Sequence, residues 1–271
     1  MLDATNKVIV TTGASAGLGR ALALEAGRRK ARVALLARRK EELEKVRRQI
    51  IESGGEAVAI PTDMTVPRDI ALTFAEIESR WNRIDILFNV AGVVEPVKRL
   101  VNADDDEIMK SLMINVLGVY IGSREAIRIM QGQSSGGTII NITSGAARRV
   151  YVGWSLYGSQ KAAVDHFTRV VAEELKDTPI RIVALSPGPF DSRMQEIMRQ
   201  TDKSEFPVKD RFVELHESGK LAKPEQLAPM ILDIALTDWP ELSGRVEDIR
   251  EQVFQSECME KGITIPGKIR L

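Results

Sequence analysis

Short apolar segments rich in valine and isoleucine alternate with longer amphipathic segments along most of this 271-residue chain. Runs that are apolar at every position are typical of strands buried on both faces, and strands that alternate with helices form parallel sheets. The sequence therefore predicts an α/β fold, with one doubly wound parallel sheet of about seven strands and helices on both faces. The predicted strands begin near residues 7, 32, 57, 84, 137 and 181, with a short last one around 244–246.

Length and composition favour a single globular domain. Hydrophobic residues make up 44% of the chain, and 38 basic residues balance 38 acidic ones. This balance gives no reason to expect a nucleic acid or an anionic membrane as a partner. Cys258 has no second cysteine to pair with, and no signal peptide or membrane-spanning run is evident. We expect a cytoplasmic protein, and one without a metal, because His166 and His216 are too few and too far apart for a metal site.

The first strand leads into a glycine-rich turn and then a helix. Residues 7–12 form the predicted strand, and residues 20–30 form the predicted helix. This arrangement places backbone N–H groups and the positive end of a helix dipole where a pyrophosphate can bind, as in Rossmann-type folds. The predicted cofactor contacts in this turn are Gly13, Ser15, Gly17, Leu18 and Gly19.

Two arginines close the second strand, where the ribose of a dinucleotide is expected. An acidic residue at this point favours NAD, and basic residues accommodate the 2′-phosphate of NADP. Here the strand is followed by Arg38 and Arg39. We predict NADP(H) as the cofactor, with Arg38 as the first choice for the phosphate contact. The alternative is that both arginines only begin the charged helix over 40–53.

The next two strands end in polar or small residues. Asp63 is placed to accept a hydrogen bond from an adenine amine, or to cap the following helix. Asn89 is a candidate for cofactor binding or for holding neighbouring loops together, and Ala91 and Gly92 leave room for a nucleotide. All four residues are predicted cofactor contacts.

A tyrosine and a lysine lie one helical turn apart after the fifth strand. Tyr157 and Lys161 are i and i+4 on the predicted helix, so both side chains project from one face. A nearby ammonium ion stabilises a phenolate, so Lys161 is expected to lower the pKa of Tyr157 toward neutrality. Ser144 lies where the strand meets its loop. In the long predicted helix over 104–130, Asn115 marks either a local distortion or a satisfied interior amide.

The order and spacing of these residues resemble the short-chain dehydrogenase/reductase family over about residues 5–250. The resemblance rests on the glycine-rich turn, the Asn89-to-Gly92 segment, Asn115, Ser144 thirteen residues before Tyr157, Lys161, and the pair Pro187 and Gly188.

This resemblance implies a role for each matched residue. Tyr157 exchanges a proton with the substrate oxygen, Ser144 hydrogen-bonds that oxygen, and Lys161 supports Tyr157 and binds the nicotinamide ribose. Asn115 holds a water molecule that links Lys161 to solvent. Tyr157, Lys161, Pro187 and Gly188 are also implied cofactor contacts.

A narrower resemblance, to sepiapterin and benzil reductases, lies in the second half of the chain. It rests on residues 153–157, 186–195 and 212–221. These enzymes reduce vicinal dicarbonyls with NADPH, and the sepiapterin reductases anchor the pterin with an aspartate near the last strand. Asp248 falls at that position, although it can equally be a solvated turn residue.

Several predicted features concern the substrate. Trp154 is expected either to stack on a flat substrate or to pack in the interior. Arg148 and Arg149 lie in a region that commonly lines the substrate pocket, where they can favour an acidic substrate or pair with nearby acids. Residues 190–222 are predicted to form a mostly helical lid on the domain at 1–250. Residues 251–271 form an extension whose role the sequence does not show.

We therefore expect an NADPH-dependent carbonyl reductase of sepiapterin or benzil type that takes a small-molecule carbonyl substrate. The alternatives are another short-chain reductase, acting on a 3-oxoacyl thioester, a sugar or a steroid, and a nucleotide-binding regulator without turnover. The resemblance also implies a homodimer or homotetramer, through the helices predicted at 104–130 and 155–176.

Overall fold

Seven parallel strands form a single sheet in the computed structural model, which describes residues 2–267 and residue 269. The order across the sheet is β3-β2-β1-β4-β5-β6-β7, and every neighbouring pair is parallel. The predicted doubly wound sheet is confirmed. The strands are β1 Val8–Thr12, β2 Arg32–Ala37, β3 Glu56–Pro61, β4 Ile86–Asn89, β5 Gly137–Ile142, β6 Ile180–Ser186 and β7 Val246–Asp248.

Helices cover both faces of this sheet. One hydrophobic cluster joins the sheet to α1, α2, α9 and the C-terminal segment, and a second joins it to α3, α5 and α6. The helices are α1 Gly17–Arg28, α2 Lys40–Glu52, α3 Pro67–Trp81, α4 Asp105–Leu112, α5 Gly118–Met130, α6 Ser155–Glu174, α7 Arg193–Gln200, α8 Lys209–Glu217, α9 Pro224–Leu236 and α10 Gln252–Glu260.

The local sequence explains where several of these elements form. All five residues of β1 are buried, as expected for an apolar strand covered on both faces. Pro67 and Pro224 lie at the first position of their helices, where a missing N–H costs nothing. Asp104 and Glu107 form a reciprocal capping box at the start of α4.

The long helix predicted over 104–130 contains a distortion at its centre. One π-helical turn, Met113–Leu117, separates α4 from α5 and includes Asn115. Gly118 follows this turn and packs closely, since a Cβ there would lie 3.0 Å from the carbonyl oxygen of Met64. One of the two alternatives for Asn115, a local distortion, is therefore present, and π-turns of this kind are frequent at functional sites.

Residues 190–222 leave the sheet after β6 and return before α9. Phe190 and Ala222 form an isolated parallel bridge, and the Asp191 N–H donates to the Ala222 carbonyl at 2.9 Å. Between these ends, α7 and α8 are separated by a non-helical segment that contains Pro207. We call residues 190–222 the lid segment.

The C-terminal residues pack within the same chain. Phe254 and Cys258 of α10 are buried in the cluster that contains α1 and α9, and the rings of Trp239 and Phe254 stack with centroids 5.9 Å apart. Burial raises the pKa of the Cys258 thiol to about 12, so this cysteine is held as an inert packing group. The tail as far as α10 therefore completes one face of the domain.

Among the residues that the structure describes, no helix is both long and apolar enough to cross a bilayer. The same residues contain no cluster of three or more His, Cys, Asp or Glu side chains with metal-binding geometry.

Candidate active site

A cavity of about 750 Å³ lies at the carboxyl ends of the strands, and the lid segment forms one of its walls. Its volume lies within the range of about 300 to 1,000 Å³ typical of small-molecule sites. The cavity spans the point between β1 and β4 where the strand order reverses, the usual ligand position in open α/β sheets. We refer to the part beside β1 and β2 as the cofactor end and to the part beside the lid segment as the substrate end.

Backbone atoms form the cofactor end. Gly13 has a φ of +69°, and a Cβ there would lie 3.0 Å from backbone atoms of Ala91. A Cβ at Gly19 would lie only 2.5 Å from the Gly13 carbonyl oxygen. Larger residues at these positions would fill the turn that opens onto the N-terminus of α1. The turn therefore fits a pyrophosphate group, as its sequence predicts.

The side chains predicted for this end also line the cavity. Ser15, Leu18, Arg38 and Arg39 are all part of its wall. The Arg39 Nη2 donates to Ser15 Oγ at 3.3 Å, and both arginines are exposed. Within the described part of the chain Arg38 has no ion-pair partner, so its guanidinium is available to a ligand.

Asp63 and Asn89, the two polar residues predicted after β3 and in β4, are placed differently. Asp63 lines the cavity, and its Oδ1 also accepts from the backbone N–H and the hydroxyl of Thr65, so it caps the local turn as well. Asn89 lies beneath the cavity and is not part of its lining. Its amide donates to Ser123 Oγ at 3.0 Å and to Asn141 Oδ1 at 2.9 Å. Of the two roles predicted for Asn89, these contacts support the one of holding neighbouring segments together, because this side chain ties β4 to α5 and β5.

The catalytic candidates meet at the end of β5. Ser144, Tyr157 and Lys161 all line the cavity. The Lys161 Nζ donates to the Ile142 carbonyl at 2.8 Å and lies 5.9 Å from the centre of the Tyr157 ring. Ala91, Gly92, Pro187 and Gly188 line the same region. A Cβ at Gly92 would lie 3.7 Å from Lys161 Nζ and 3.1 Å from Asn115 Oδ1, which places Asn115 beside the lysine.

The electrostatics of this group differ from the prediction in one respect. Burial raises the pKa of Tyr157, and the influence of the nearby Ser144 hydroxyl opposes this only in part. Burial also lowers the pKa of Lys161 to about 8, against the opposing charge of Asp165. The expected lowering of the Tyr157 pKa is not found, because the effect of burying the phenol is the largest influence on it. At neutral pH Tyr157 therefore keeps its proton.

Asn115 is held by a network that its sequence position alone does not reveal. Its Oδ1 accepts from the Val93 N–H at 2.8 Å, and its Nδ2 donates to the Val93 carbonyl at 2.8 Å and to Gln160 Oε1 at 2.7 Å. The Gln160 amide in turn donates to Ser111 Oγ at 2.8 Å. The π-turn is thereby fixed to α6 and to the segment after β4.

Aromatic rings form the substrate end. Trp154 lies edge-on to Tyr157 with centroids 5.4 Å apart, and packs against Phe206 and Phe212 of the lid segment at 5.2 and 5.5 Å. Trp154 lines the cavity although only 8% of its surface is exposed. Both roles predicted for Trp154 are therefore compatible with its position. Its indole N–H is buried, and among the described residues it has no hydrogen-bond partner.

Asp248 lies next to the substrate end but does not line it. Its carboxylate accepts from Arg250 Nε at 2.8 Å and Nη2 at 2.5 Å, and also from Ser186 Oγ at 3.3 Å. Burial disfavours the charged form, but the hydrogen bonds from Arg250 outweigh it and lower the pKa of Asp248. The pterin contact expected of Asp248 is thus corrected, since Arg250 occupies the carboxylate and is itself the residue that faces the cavity.

The two arginines predicted near the substrate separate. Arg148 forms an ion pair with Glu251 at 3.3 Å and does not line the cavity, whereas Arg149 does. Sequence reasoning missed Arg250 and Gln160 as site residues. It placed Phe206 and Phe212 in the predicted lid, and Phe212 also in the narrower resemblance, but gave neither a place in the site. The signal for Arg250 is its position two residues after a predicted site aspartate.

Comparisons with known proteins agree with this geometry. The family described as short chain dehydrogenase matches residues 7–203. Two proteins named benzil reductase ((S)-benzoin forming) are each 32% identical to this chain. The one from Bacillus subtilis aligns over 90% of this chain and 99% of its own length, and the one from Bacillus cereus over 86% and 95%. The crystal structure of the KRED1-Pglu enzyme superposes with a TM-score of 0.81 at 33% identity, over 89% of this chain and 100% of that one.

Proposed function

This chain belongs to the short-chain dehydrogenase family, and from that premise we propose that it is an NADPH-dependent carbonyl reductase in which Tyr157 is the proton donor. An oxidoreductase reaction with a nicotinamide cofactor follows from the family. The observation that carries the finer proposal is the group formed by Ser144, Tyr157 and Lys161 in one cavity with the glycine-rich turn.

The protein's task in this reaction is to hold the carbonyl and deliver a proton. The bound cofactor supplies the hydride. Ser144 and Tyr157 line the same cavity at the end of β5, so we assign to their hydroxyls the task of holding one carbonyl oxygen between them. Because burial raises the pKa of Tyr157, the phenol is protonated at neutral pH and is ready to protonate the reduced oxygen.

Lys161 and Asn115 then restore the proton that Tyr157 gives up. With a pKa of about 8, Lys161 is mostly protonated at pH 7 but releases a proton more readily than an ordinary lysine. We assign the supply of protons from solvent to the Asn115 region, whose side chain is fixed by Val93 and Gln160. The π-turn at Met113–Leu117 supports this role, since it places Asn115 beside Lys161.

Two features support NADP(H) over NAD(H). Both Arg38 and Arg39 line the cofactor end, and β2 ends without a carboxylate. A guanidinium binds a phosphate through parallel N–H···O bonds, so Arg38, which has no ion-pair partner within the described residues, is the residue we assign to the 2′-phosphate.

We assign vicinal diketones with aromatic substituents as the substrate class. The support is the aromatic lining formed by Trp154 and Phe212 beside Tyr157, with the buried ring of Phe206 packed behind it, together with the similarity to the two benzil reductases. Flat aromatic groups pack well against such walls.

The test is NADPH and NADH oxidation against benzil, sepiapterin, diacetyl and an acetoacetyl thioester. We expect benzil to be reduced with NADPH, and the preference for NADPH over NADH to fall at least tenfold in Arg38→Ala. Arg48→Ala is the matched control, because Arg48 is exposed on α2 outside the cavity. Turnover of the thioester alone, or equal use of both cofactors by the unaltered protein, would contradict the proposal.

We further propose a homodimer or homotetramer through α4, α5 and α6. Met109 and Leu112 on α4 and Val170 on α6 are exposed apolar residues with 56%, 39% and 44% of their surface accessible. Covering such residues favours association. Light scattering on the purified protein reports the state directly, and a monomer at micromolar concentration would argue against this interface.

A further inference from the structure

The substrate end carries positive charge that the proposed reaction does not use. The chain as a whole has 38 basic and 38 acidic residues, yet the cavity lining contains eight Lys or Arg side chains and three Asp or Glu side chains. Arg38 and Arg39 belong to the cofactor end, and Lys161 belongs to the catalytic group. One of the three acids, Glu107, is already paired with Lys98 at 2.8 Å. The substrate end is therefore left with a surplus of cations.

Arg250 is the most constrained of these cations. Its side chain is only 19% exposed, and Asp248 holds its Nε and Nη2 edge in a bidentate pair. Asp248 is fixed in turn by Ser186, its neighbour across β6 and β7, and by the Arg250 backbone N–H at 3.0 Å. Arg250 also packs against Gly188, where a Cβ would lie 2.6 Å from the arginine Cδ and Nε atoms. The guanidinium is thus held in one orientation before any ligand binds.

Two further arginines lie around Tyr151, beside Arg250. Arg211 Nη1 lies 3.5 Å from the Tyr151 hydroxyl, and Tyr151, Arg211 and Arg250 line the same cavity. Arg149 precedes Tyr151 by two residues and lines the same cavity. We call Arg149, Arg211 and Arg250 the arginine wall. Among the described residues, neither Arg149 nor Arg211 has an ion-pair partner.

A short series of rings connects this wall to the reacting position. Tyr151 lies edge-on to Trp154 with centroids 5.0 Å apart, and Trp154 lies edge-on to Tyr157 at 5.4 Å. A substrate whose carbonyl contacts Tyr157 and that extends along these rings would bring a substituent on its far side toward the arginine wall.

We infer that the arginine wall binds a carboxylate on the substrate, so that the preferred substrates are aromatic ketones or diketones that carry an acid group. This inference rests on the proposed reductase function and deepens it. Guanidinium groups match carboxylates in geometry, and a partly buried guanidinium that is already oriented loses little freedom on binding. A cationic or guanidine-like substrate, by contrast, would meet like charge from Arg250 while Asp248 is occupied.

The inference is tested with two compounds of the same shape, benzil-4-carboxylate and its methyl ester. We expect the unaltered protein to show at least a tenfold higher kcat/KM for the acid. In Arg250→Met the ratio of acid to ester should fall about tenfold, through KM rather than kcat, and in Arg211→Met about threefold. Arg250→Lys should recover part of the ratio, because it restores the charge but not the fork. Arg48→Met, outside the cavity, should leave the ratio unchanged.

Two additional measurements keep the outcome interpretable. Arg250→Met leaves Asp248 buried without its partner, so the double variant Asp248→Asn/Arg250→Met is measured in parallel. Isothermal titration of both compounds, with and without NADP⁺, reports binding apart from turnover. An acid-to-ester ratio near one in the unaltered protein would overturn the inference while leaving the reductase function in place. Tighter binding of the acid that is lost in the arginine variants, without reduction of either compound, would support the inference and count against the reductase function.

Discussion

The two ends of the cavity differ in what forms their walls. At the cofactor end, the critical contacts are between backbone atoms, as where Gly19 approaches the Gly13 carbonyl. All of this end lies in the first 100 residues, where strands and helices alternate regularly along the chain. At the substrate end, side chains from distant segments meet, as where Trp154 contacts Phe206 and Phe212. The backbone contacts of the cofactor end therefore leave little room for substitutions. At the substrate end, by contrast, replacing a few side chains can change which ligand is bound.

The family match follows the same division. It ends at residue 203, so it includes the glycine-rich turn and the catalytic group but not Phe206, Arg211, Phe212 or Arg250. Cofactor binding and proton transfer thus belong to the part of the chain that is shared across the family. Of the residues that we assign to the substrate, Arg149 and Trp154 lie within the match, whereas Arg211, Phe212 and Arg250 lie after its end.

The largest expected effect separates chemistry from cofactor binding. Tyr157→Phe removes only the hydroxyl that donates the proton, so we expect kcat for benzil to fall by about 10³-fold, within the usual range for loss of a general acid. The Kd for NADPH should change less than threefold, because the glycine-rich turn is untouched. Steady-state kinetics and fluorescence titration with NADPH measure the two quantities.

Tyr120→Phe is the matched control for this variant. Tyr120 stacks on Phe167 with centroids 4.1 Å apart and does not line the cavity, so its hydroxyl should be dispensable. Retention of reductase activity in Tyr157→Phe would remove Tyr157 from the proton-donor role. An equal loss of NADPH affinity would show that the two ends of the cavity are not separable.

The second expected effect concerns Lys161, which is buried between the two ends. Its pKa is about 8 in the folded protein and 10.5 when exposed. Between these values the unfolded chain binds the additional proton, so this residue makes the free energy of unfolding rise as pH rises from about 8 to 10.5. Below pH 8 the lysine is charged in both states, and the full cost of burying the charge is present. The total change is roughly 3 kcal/mol.

Lys161→Met isolates this contribution. Groups that titrate in both proteins cancel in the difference between their free energies of unfolding, which urea denaturation at pH 7.5, 9 and 10.5 provides. We expect the unaltered protein to gain stability relative to Lys161→Met along this series. Lys45→Met, on the exposed face of α2, corrects for the loss of one positive charge. A difference that stays constant with pH would show that the pKa of Lys161 is not lowered in the folded protein.

How far the sequence predicts this molecule depends on the range of the interactions. The sheet and its helices are encoded in local patterns, and they are confirmed, with shifts of one or two residues in strand bounds such as that of β4. For Asn115 the sequence leaves two alternatives open, and the structure shows both a local distortion and a satisfied amide. The hydrogen-bond partners of Asp248 and Asn89 are not predictable from such local patterns. Asp248 lies beside Ser186 because β6 and β7 pair in one register, and Asn89 reaches Asn141 because β4 and β5 do. A side chain's partner across such a pair depends on the assembled sheet.

The pKa of Tyr157 shows the same limit. The spacing of Tyr157 and Lys161 in the sequence correctly predicts that both side chains lie on one face of α6. The direction of the pKa shift depends instead on burial, which several separate segments produce together. The Lys161 ammonium group meanwhile donates a hydrogen bond to the Ile142 carbonyl. Charge proximity along a helix therefore predicts which groups meet, and the surrounding dielectric determines which protonation state is favoured.

The smallest expected effect tests whether the lid segment acts on substrate alone. Phe212 is 7% exposed, lines the cavity and contacts Trp154 and Phe206 in a cluster separate from the two that hold the sheet. In Phe212→Ala we expect the KM for benzil to rise about tenfold, which corresponds to ~1.4 kcal/mol, with the Kd for NADPH within twofold. Val213→Ala, on the same helix but outside the cavity lining, controls for weakening of α8 itself. If Phe212→Ala also weakened NADPH binding by a similar factor, the two ends of the cavity would form one cooperative unit. Removing a ring from the lid segment would then alter a backbone turn that belongs to a different cluster.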